Sequence, residues 1–348
     1  MSQKILILGV NGFIGSSLSA HILQHKDWEI YGIDLHSHKI SEFLEHPRFH
    51  FREGDIHTQK EWIEQHIILC DTVLPLVAVA NPALYVNDPL YVFELDFESN
   101  LPIIRQCVQH RKRLVFPSTS EVYGMSPDAV FDEETSPLTL GPIHKQRWIY
   151  SCSKQLLDRV IFAYGIHKGL DYTLFRPFNW IGPKLDDIKN PKEGSVRSLT
   201  HFISCIFYNK RIDLVGGGQQ RRAFTDIDDG IEALTHIIEN KEGQASSRIF
   251  NIGNPQNDFS IAQMVDMLLE VLKTYPLYQN MAESVTVESV HPDVFFGEHY
   301  QDTQHRVPSI ENARQYLGWE PKTSLQASIQ KALDYHLSPE RRHRLGLR

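Results

Sequence analysis

Tyr150 and Lys154 stand four residues apart in the segment Tyr150-Ser151-Cys152-Ser153-Lys154. On a helix that spacing puts both side chains on one face. An ammonium beside a phenol favours the phenolate, so Lys154 is expected to draw the tyrosine pKa down from about 10 toward neutrality. Such a pair interconverts a hydroxyl and a ketone when a hydride acceptor lies alongside. Upstream, Thr119-Ser120-Glu121 adds two hydroxyls and a carboxylate that the same edge of a fold can present.

The N-terminus supplies the acceptor's signature. Ile5 to Leu8 is a continuous apolar run, as a strand buried on both faces should be. Gly9-Val10-Asn11-Gly12-Phe13-Ile14-Gly15 follows at once, and Ser16 to Gln24 reads as a helix. Glycines at this spacing close a tight turn, admit a pyrophosphate to the backbone, and pack helix on strand. Gly9, Asn11, Gly12, Phe13, Ile14 and Gly15 are therefore the candidate dinucleotide cradle, with the helix N-terminus facing phosphate. A second strand, Trp28 to Ile33, ends in Asp34. A carboxylate there accepts from ribose hydroxyls and repels a 2′-phosphate, so NAD is expected over NADP. Asp55 and Ile56, after a third strand at Phe49 to Phe51, are expected at the adenine.

These groups need a scaffold. Further strands are expected at Thr72 to Ala80, Leu114 to Phe116 and Tyr172 to Arg176, with helices over Tyr91 to His110 and Tyr150 to Tyr164. The class is α/β: a Rossmann-type doubly wound parallel sheet with a smaller C-terminal α/β substrate-binding region. Residues 1–178 are expected to form the NAD-binding domain. Residues 179–348 are expected mainly to bind substrate, with segments returning to the core. In that second part, Gly216-Gly217-Gly218 leads to Arg221 and Arg222. The run suits a diphosphate, and it equally describes a surface turn.

Bulk properties exclude several classes. The chain has 348 residues, 41% hydrophobic and 22% charged, which suits a globular protein. A net charge of −8 speaks against nucleic acid or an anionic membrane as main partner. Cys70, Cys107, Cys152 and Cys205 have no paired spacing, so reduced thiols in a cytoplasmic protein are expected. No run approaches transmembrane length, and no Cys or carboxylate pattern completes a metal site around the 18 histidines.

The glycine fingerprint, Asp34, the loop from Thr119 to Gly124 and the Tyr150/Lys154 pair together resemble the extended short-chain dehydrogenase/reductase superfamily. Within it, GVNGFIG, LPLVAVANP, FPSTSEVYGM, RWIYSCSKQLLDRVI, FRPFNWIGP, GGGQQRRAFTDI, NIGNP and HYQDTQHRVPSI are similar to the UDP-glucuronate decarboxylase domain of bifunctional polymyxin-resistance enzymes. Those enzymes serve lipid A modification. The motifs span nearly the whole chain. No formyltransferase segment precedes Met1, so the decarboxylase half alone is expected.

The resemblance implies NAD-dependent oxidative decarboxylation of UDP-glucuronic acid to UDP-4-keto-pentose, CO2 and NADH. Tyr150 would deprotonate the sugar 4-hydroxyl, Thr119 and Ser120 would contact it, and Lys154 would hold the nicotinamide ribose. Glu121 and Arg306 match the proton acceptor and donor; stabilising an enolate is an equally good role for an arginine. Ala80, Tyr85, Arg147, Asn179, Tyr300, Arg221 and Arg222 match the UDP-sugar site, and Arg197 is a further candidate. Asp213 departs from the pattern, standing where that group carries a lysine. A homodimer or higher homo-oligomer is implied, paired through the helices near residues 100–110 and 150–164.

Three other readings stay open. A UDP-xylose synthase shares the residues but re-reduces the ketone. A UDP-sugar 4-epimerase needs only the Tyr/Lys pair and leaves Glu121 and Arg306 idle. A non-catalytic NAD-binding sensor would keep the fold, though such proteins usually lose the tyrosine or lysine. A 4,6-dehydratase is disfavoured, because Ser120 stands where it needs an acid.

Overall fold

The computed structural model describes residues 2–189, 197–208, 210–296, 301–339 and 341. Short apolar runs become strands and amphipathic segments between them become helices. The first part runs β1 (Lys4–Leu8), α1 (Phe13–His25), β2 (Glu29–Asp34), β3 (Phe49–Glu53), α2 (Lys60–Leu69) and β4 (Thr72–Pro75). It continues through α3 (Pro82–Asn87), α4 (Pro89–Phe93), α5 (Asn100–Gln109), β5 (Arg113–Pro117), α6 (Trp148–Lys168) and β6 (Tyr172–Pro177). Next come β7 (Trp180–Ile181), α7 (Ser198–Phe207), β8 (Ile212–Val215), β9 (Arg221–Ala223), β10 (Thr225–Asp226) and α8 (Ile227–Glu239). The last elements are β11 (Arg248–Ile252), β12 (Asp258–Ser260), α9 (Ile261–Lys273), α10 (Gln279–Ser284), β13 (Val287–Val290), α11 (Pro292–Phe296) and α12 (Leu325–Leu337).

Seven strands make one parallel sheet in the order β3-β2-β1-β4-β5-β6-β11. The order of winding reverses between β1 and β4, which opens a crevice at the strands' carboxyl ends. Alternate residues of β1 feed opposite faces. Ile5 and Ile7 pack into the core that includes Leu18 and Ile22 of α1 and Ile231 and Leu234 of α8. Leu6 and Leu8 join Ile63 and Ile67 of α2, Ile103 and Ile104 of α5, and Leu157 and Ile161 of α6. All four β1 side chains are fully buried, each stabilising the fold by about 1.5–3 kcal/mol.

Two elements differ from expectation, and both shape the site. The strand expected over Thr72 to Ala80 ends at Pro75, with one more bond from the Leu76 N–H to the Leu8 carbonyl (2.8 Å), after which Leu76, Ala78, Val79 and Ala80 line the cleft. The helix expected over Tyr91 to His110 is broken. A π-helical turn, Glu94–Glu98, separates α4 from α5. Asn100 stabilises this wide turn by donating its side-chain amide to the carbonyls of Leu95 (3.2 Å) and Asp96 (3.1 Å). Pro102 is accommodated because the first turn of α5 needs no N–H from it.

Candidate functional site

The crevice is a cleft of about 770 Å³. Gly9, with φ of 86°, turns the chain out of β1 in a conformation that side chains disfavour. At Gly15 a Cβ would lie 2.6 Å from the Gly9 carbonyl oxygen, so only glycine lets α1 come this close. α1 starts with neither a side-chain cap nor an acidic residue, leaving its first N–H groups and positive dipole end for an anion. Gly9, Gly12, Phe13, Ile14 and Gly15 all line the cleft. Asn11 and Asp34 stand behind them. Asp34 Oδ2 accepts from the Asn11 N–H (2.9 Å), and Asn11 Oδ1 accepts from the Lys39 N–H (2.7 Å). Burial raises the Asp34 pKa, while the hydrogen bonds from Asn11 and His36 oppose that. Asp55 lies off the cleft, its carboxylate turned to the His57 backbone N–H at 2.8 Å, and Ile56 is half-buried beside it. This cradle fits NAD: a glycine turn that no Cβ could enter, and a carboxylate at the end of β2. Asp34→Ser is expected to weaken NAD binding about tenfold or more, as loss of a charged acceptor does, and to narrow the preference over NADP. Calorimetry with both nucleotides checks this.

α6 carries the pair predicted to do acid/base chemistry. Tyr150 and Lys154 are both buried, and both line the cleft. Tyr85 of α3 stacks on Tyr150 with centroids 4.7 Å apart and planes 7° from parallel. Lys154 Nζ donates to the Pro117 carbonyl (3.1 Å) at the end of β5 and lies 3.7 Å from Asp96 Oδ1. The expectation that Lys154 lowers the Tyr150 pKa is corrected here. Burial pushes the phenol well above its ordinary value, the Asp96 carboxylate adds to that, and a hydrogen bond with Thr119 opposes it. The ammonium is paired with Asp96, 3.7 Å away.

The Thr119 loop caps a 3-10 turn, Ser120–Tyr123, through Thr119 Oγ1, which accepts the Glu121 N–H (3.2 Å). That turn aims Glu121 at three arginines from distant segments. Arg147 precedes α6 and places Nη2 2.9 Å from Glu121 Oε2. Arg306 Nη1 donates to Glu121 Oε1. Arg222 of β9 donates to Asp302 Oδ1 (2.8 Å), which Arg147 also approaches (3.5 Å). Three guanidiniums thus meet two carboxylates. Burial alone would push the Glu121 pKa up, but the charges of Arg147, Arg306 and Arg222 prevail and hold it at about 2. The segment bearing Arg306 is fixed by backbone bonds: Phe131 N–H to Val307 O (2.8 Å), Ser309 N–H to Phe131 O (2.7 Å) and Arg221 N–H to Gln304 O (2.8 Å).

Of the substrate-binding candidates, Ala80, Tyr85, Thr119, Ser120, Asn179, Arg197 and Arg222 line the cleft. Arg147 is buried behind it on Glu121. Arg197 is clamped to Asp186, Nη2 to Oδ1 at 2.6 Å. Arg221 does not line it. Neighbours on a strand point to opposite faces, so Arg222 turns inward while Arg221 pairs with Asp258 (3.0 Å) across the β9–β12 ladder. Tyr300 lies outside the described residues. Asp213, the departure from the family pattern, lines the cleft, but its Oδ1 accepts from Arg211 (2.6 Å) and its charge is thereby offset. Sequence reasoning missed Lys39, Asp96 and Asp302. Asp96 shares its stretch with Glu94 and Glu98, so nothing in the sequence sets it apart; Lys39 and Asp302 likewise have no signal beyond their charge.

Behind the Thr119 loop runs a buried polar chain. Ser118 donates to Asp158 (2.7 Å), Arg176 donates to Asp158 (3.1 Å) and to Tyr123 (2.9 Å), and Tyr123 donates to Asn251 (2.8 Å). Glu133 Oε1 ends it by accepting the Asn251 N–H (2.6 Å). Burial pushes Glu133 up from 4.5 to about 7. Between those values the folded chain holds a proton that the unfolded chain has lost, so stability declines as pH rises through the window. Glu133→Gln removes this titration. Its melting temperature relative to wild type should climb from pH 5 to 7 and then level, read by calorimetric scans.

A model of the NAD dependent epimerase/dehydratase family matches residues 5–253. The PbgP3 protein from Burkholderia pseudomallei is similar at 51% identity, over 97% of this chain and 96% of that one, with a TM-score of 0.87. UDP-glucuronic acid 4-epimerase from Bacillus cereus shares the fold at 22% identity, 96% and 98% coverage, and a TM-score of 0.80. dTDP-glucose 4,6-dehydratase from Bacillus anthracis does so at 20% identity, 97% and 98% coverage, and 0.77.

Proposed function

The chain belongs to the NAD dependent epimerase/dehydratase family, and we propose that within it the activity is oxidative decarboxylation of UDP-glucuronic acid to UDP-4-keto-pentose. The observation that carries this reading is the Glu121–Arg306 pair, with Arg147 and Arg222 around it, lying in the same cleft as Tyr150. NAD held by the glycine cradle and Asp34 would supply the hydride acceptor for C4 and add positive charge to the cleft. Tyr150 takes the proton of the sugar 4-hydroxyl, and Thr119 orients that hydroxyl. The 4-ketone so formed lies β to the carboxylate on C5. Breaking the C5–carboxylate bond releases CO2, and the electron pair delocalises onto the ketone oxygen as an enolate. Arg306 and Arg222 offer cationic hydrogen-bond donors to that negative charge. C5 then takes up a proton from the cleft in place of the lost carboxylate, and the 4-hydroxyl proton held by Tyr150 balances it.

Glu121 argues against dehydration. A dehydratase must protonate the departing hydroxyl; Ser120 stands where that acid is needed, and Glu121, held ionised by Arg147 and Arg306, does not replace it. Epimerisation would leave the Glu121–Arg306 pair without a task. Residues 1–178 carry NAD and residues 179–348 mainly the sugar nucleotide, in a cytoplasmic homo-oligomer on this reading. Among the described residues no helix is long and apolar enough to cross a membrane. Mass spectrometry of the nucleotide product, with NADH followed by absorbance, tests the proposal. NADH and CO2 in near-equal amounts are expected. CO2 without free NADH would identify a UDP-xylose synthase, and an epimer without CO2 would overturn decarboxylation.

A further inference from the structure

The chemistry assigned to Lys154 leaves one buried group unused, and it touches the lysine. Asp96 is wholly buried in the π-helical turn Glu94–Glu98. Its Oδ1 lies 3.7 Å from Lys154 Nζ and its Oδ2 accepts the Val79 N–H at 3.0 Å. Val79 belongs to the wall that follows β4 and lines the cleft. Lys154 Nζ meanwhile donates to Pro117 O, where β5 hands over to the Thr119 loop. A regular helix over Pro89 to Gln109 would carry Asp96 in a different rotation. The wide turn, braced by Asn100 on the carbonyls of Val77 (3.4 Å), Leu95 and Asp96, sets where the carboxylate points.

We propose that Asp96 is a positioning residue for the Tyr150/Lys154 pair, keeping the buried lysine charged and tying it to the cleft wall at Val79. An ammonium with no counter-charge in such a place sheds its proton. The groups around Lys154 are few: Asp96 from the π-helical turn, Tyr150 one turn back on α6, and Asp158 one turn on, itself held by Ser118 and Arg176. Burial draws the Lys154 pKa down; Asp96 first, then Asp158, pull it back. Around Tyr150 stand Asp96, Glu121, Arg197 and the ring of Tyr85. Asp96 therefore acts in the same direction on both partners, holding a proton on the lysine and on the phenol.

This rests on reading the pair as an NAD-linked acid/base, and not on the identity of the sugar. Wild type and Asp96→Asn are compared for kcat/KM with UDP-glucuronate, and for NAD affinity by calorimetry, from about pH 6 to 10. The alkaline limb of both profiles is expected about one to three pH units lower in the variant, the reach of one charge at this distance. Asp96→Glu, which keeps a carboxylate, should leave the limb near its wild-type position. A uniform loss in Asp96→Asn with both limbs unmoved assigns the residue to packing and overturns the proposal. So does a displaced limb in Asp96→Glu. If Asp96→Asn does not fold, adding Lys154→Met should restore folding by removing the unpaired charge. Failure of that double variant also overturns the proposal. The calorimetric profile needs no sugar nucleotide. Absence of turnover with UDP-glucuronate would strike the decarboxylase reading and leave Asp96 to be decided by NAD binding.

Discussion

Tyr150→Phe is expected to reduce NADH formation from UDP-glucuronate by about 10²–10⁴-fold, the usual worth of a positioned acid/base. Affinity for UDP-glucuronate should stay within a few-fold of wild type. The substitution removes one oxygen and keeps the ring, so the stack on Tyr85 at 4.7 Å persists. Lys154 is held by Pro117 O and Asp96, so losing the phenol leaves its position intact. Thr119 loses a partner yet keeps its bond from the Glu121 N–H. The expected result is therefore a fall in kcat with little change in dissociation constant, a pattern that separates chemistry from binding. Stopped-flow absorbance gives the rate and calorimetry the affinity. Unchanged turnover would remove Tyr150 from the reaction, and a matched collapse of affinity would mark it as a binding group.

The framework of this site was legible because its parts obey local rules. An apolar run of four, glycines at fixed spacing and an acidic strand end can be read without tertiary information, and β1, α1 and Asp34 stand where those rules put them. Parallel pairing of six of the seven strands followed from strands alternating with helices, whereas β11, arriving from the C-terminal part, is not among the strands expected from sequence. Three kinds of error came from packing that no local pattern records. Whether Lys154 acts on Tyr150 depends on Asp96, and Asp96 reaches it only through a π-helical turn held by Asn100. Which of two adjacent arginines enters the cleft depends on the register of β9 against β12, which sends Arg222 in and Arg221 to Asp258. Asp213 departs from the family pattern in sequence, and only the fold shows that Arg211, two residues back on an exposed edge, offsets its charge.

Arg306→Ala is expected to slow CO2 release by about 10²–10³-fold, the cost of losing one donor from a charge-stabilising site. NAD binding should be unaffected, since the glycine cradle is built from β1 and α1 and shares no contact with Arg306 among the described residues. The fold should tolerate the change, because backbone bonds from Phe131 and Ala223 hold the segment whatever its side chain. Glu121 keeps Arg147 at 2.9 Å, so it remains ionised and the local charge turns less positive. That loss falls on the step where negative charge moves from the carboxylate to the ketone oxygen, and much less on hydride transfer. A variant that still forms NADH but releases CO2 slowly should then accumulate a ketone that retains its carboxylate, visible by mass spectrometry as a product heavier than UDP-4-keto-pentose by CO2. Arg306→Lys keeps a charge but not the planar fork, and should recover part of the rate. Equal loss of NADH and CO2 in Arg306→Ala, with no such intermediate, would place Arg306 in substrate binding and leave the assignment of a decarboxylating group to Arg222.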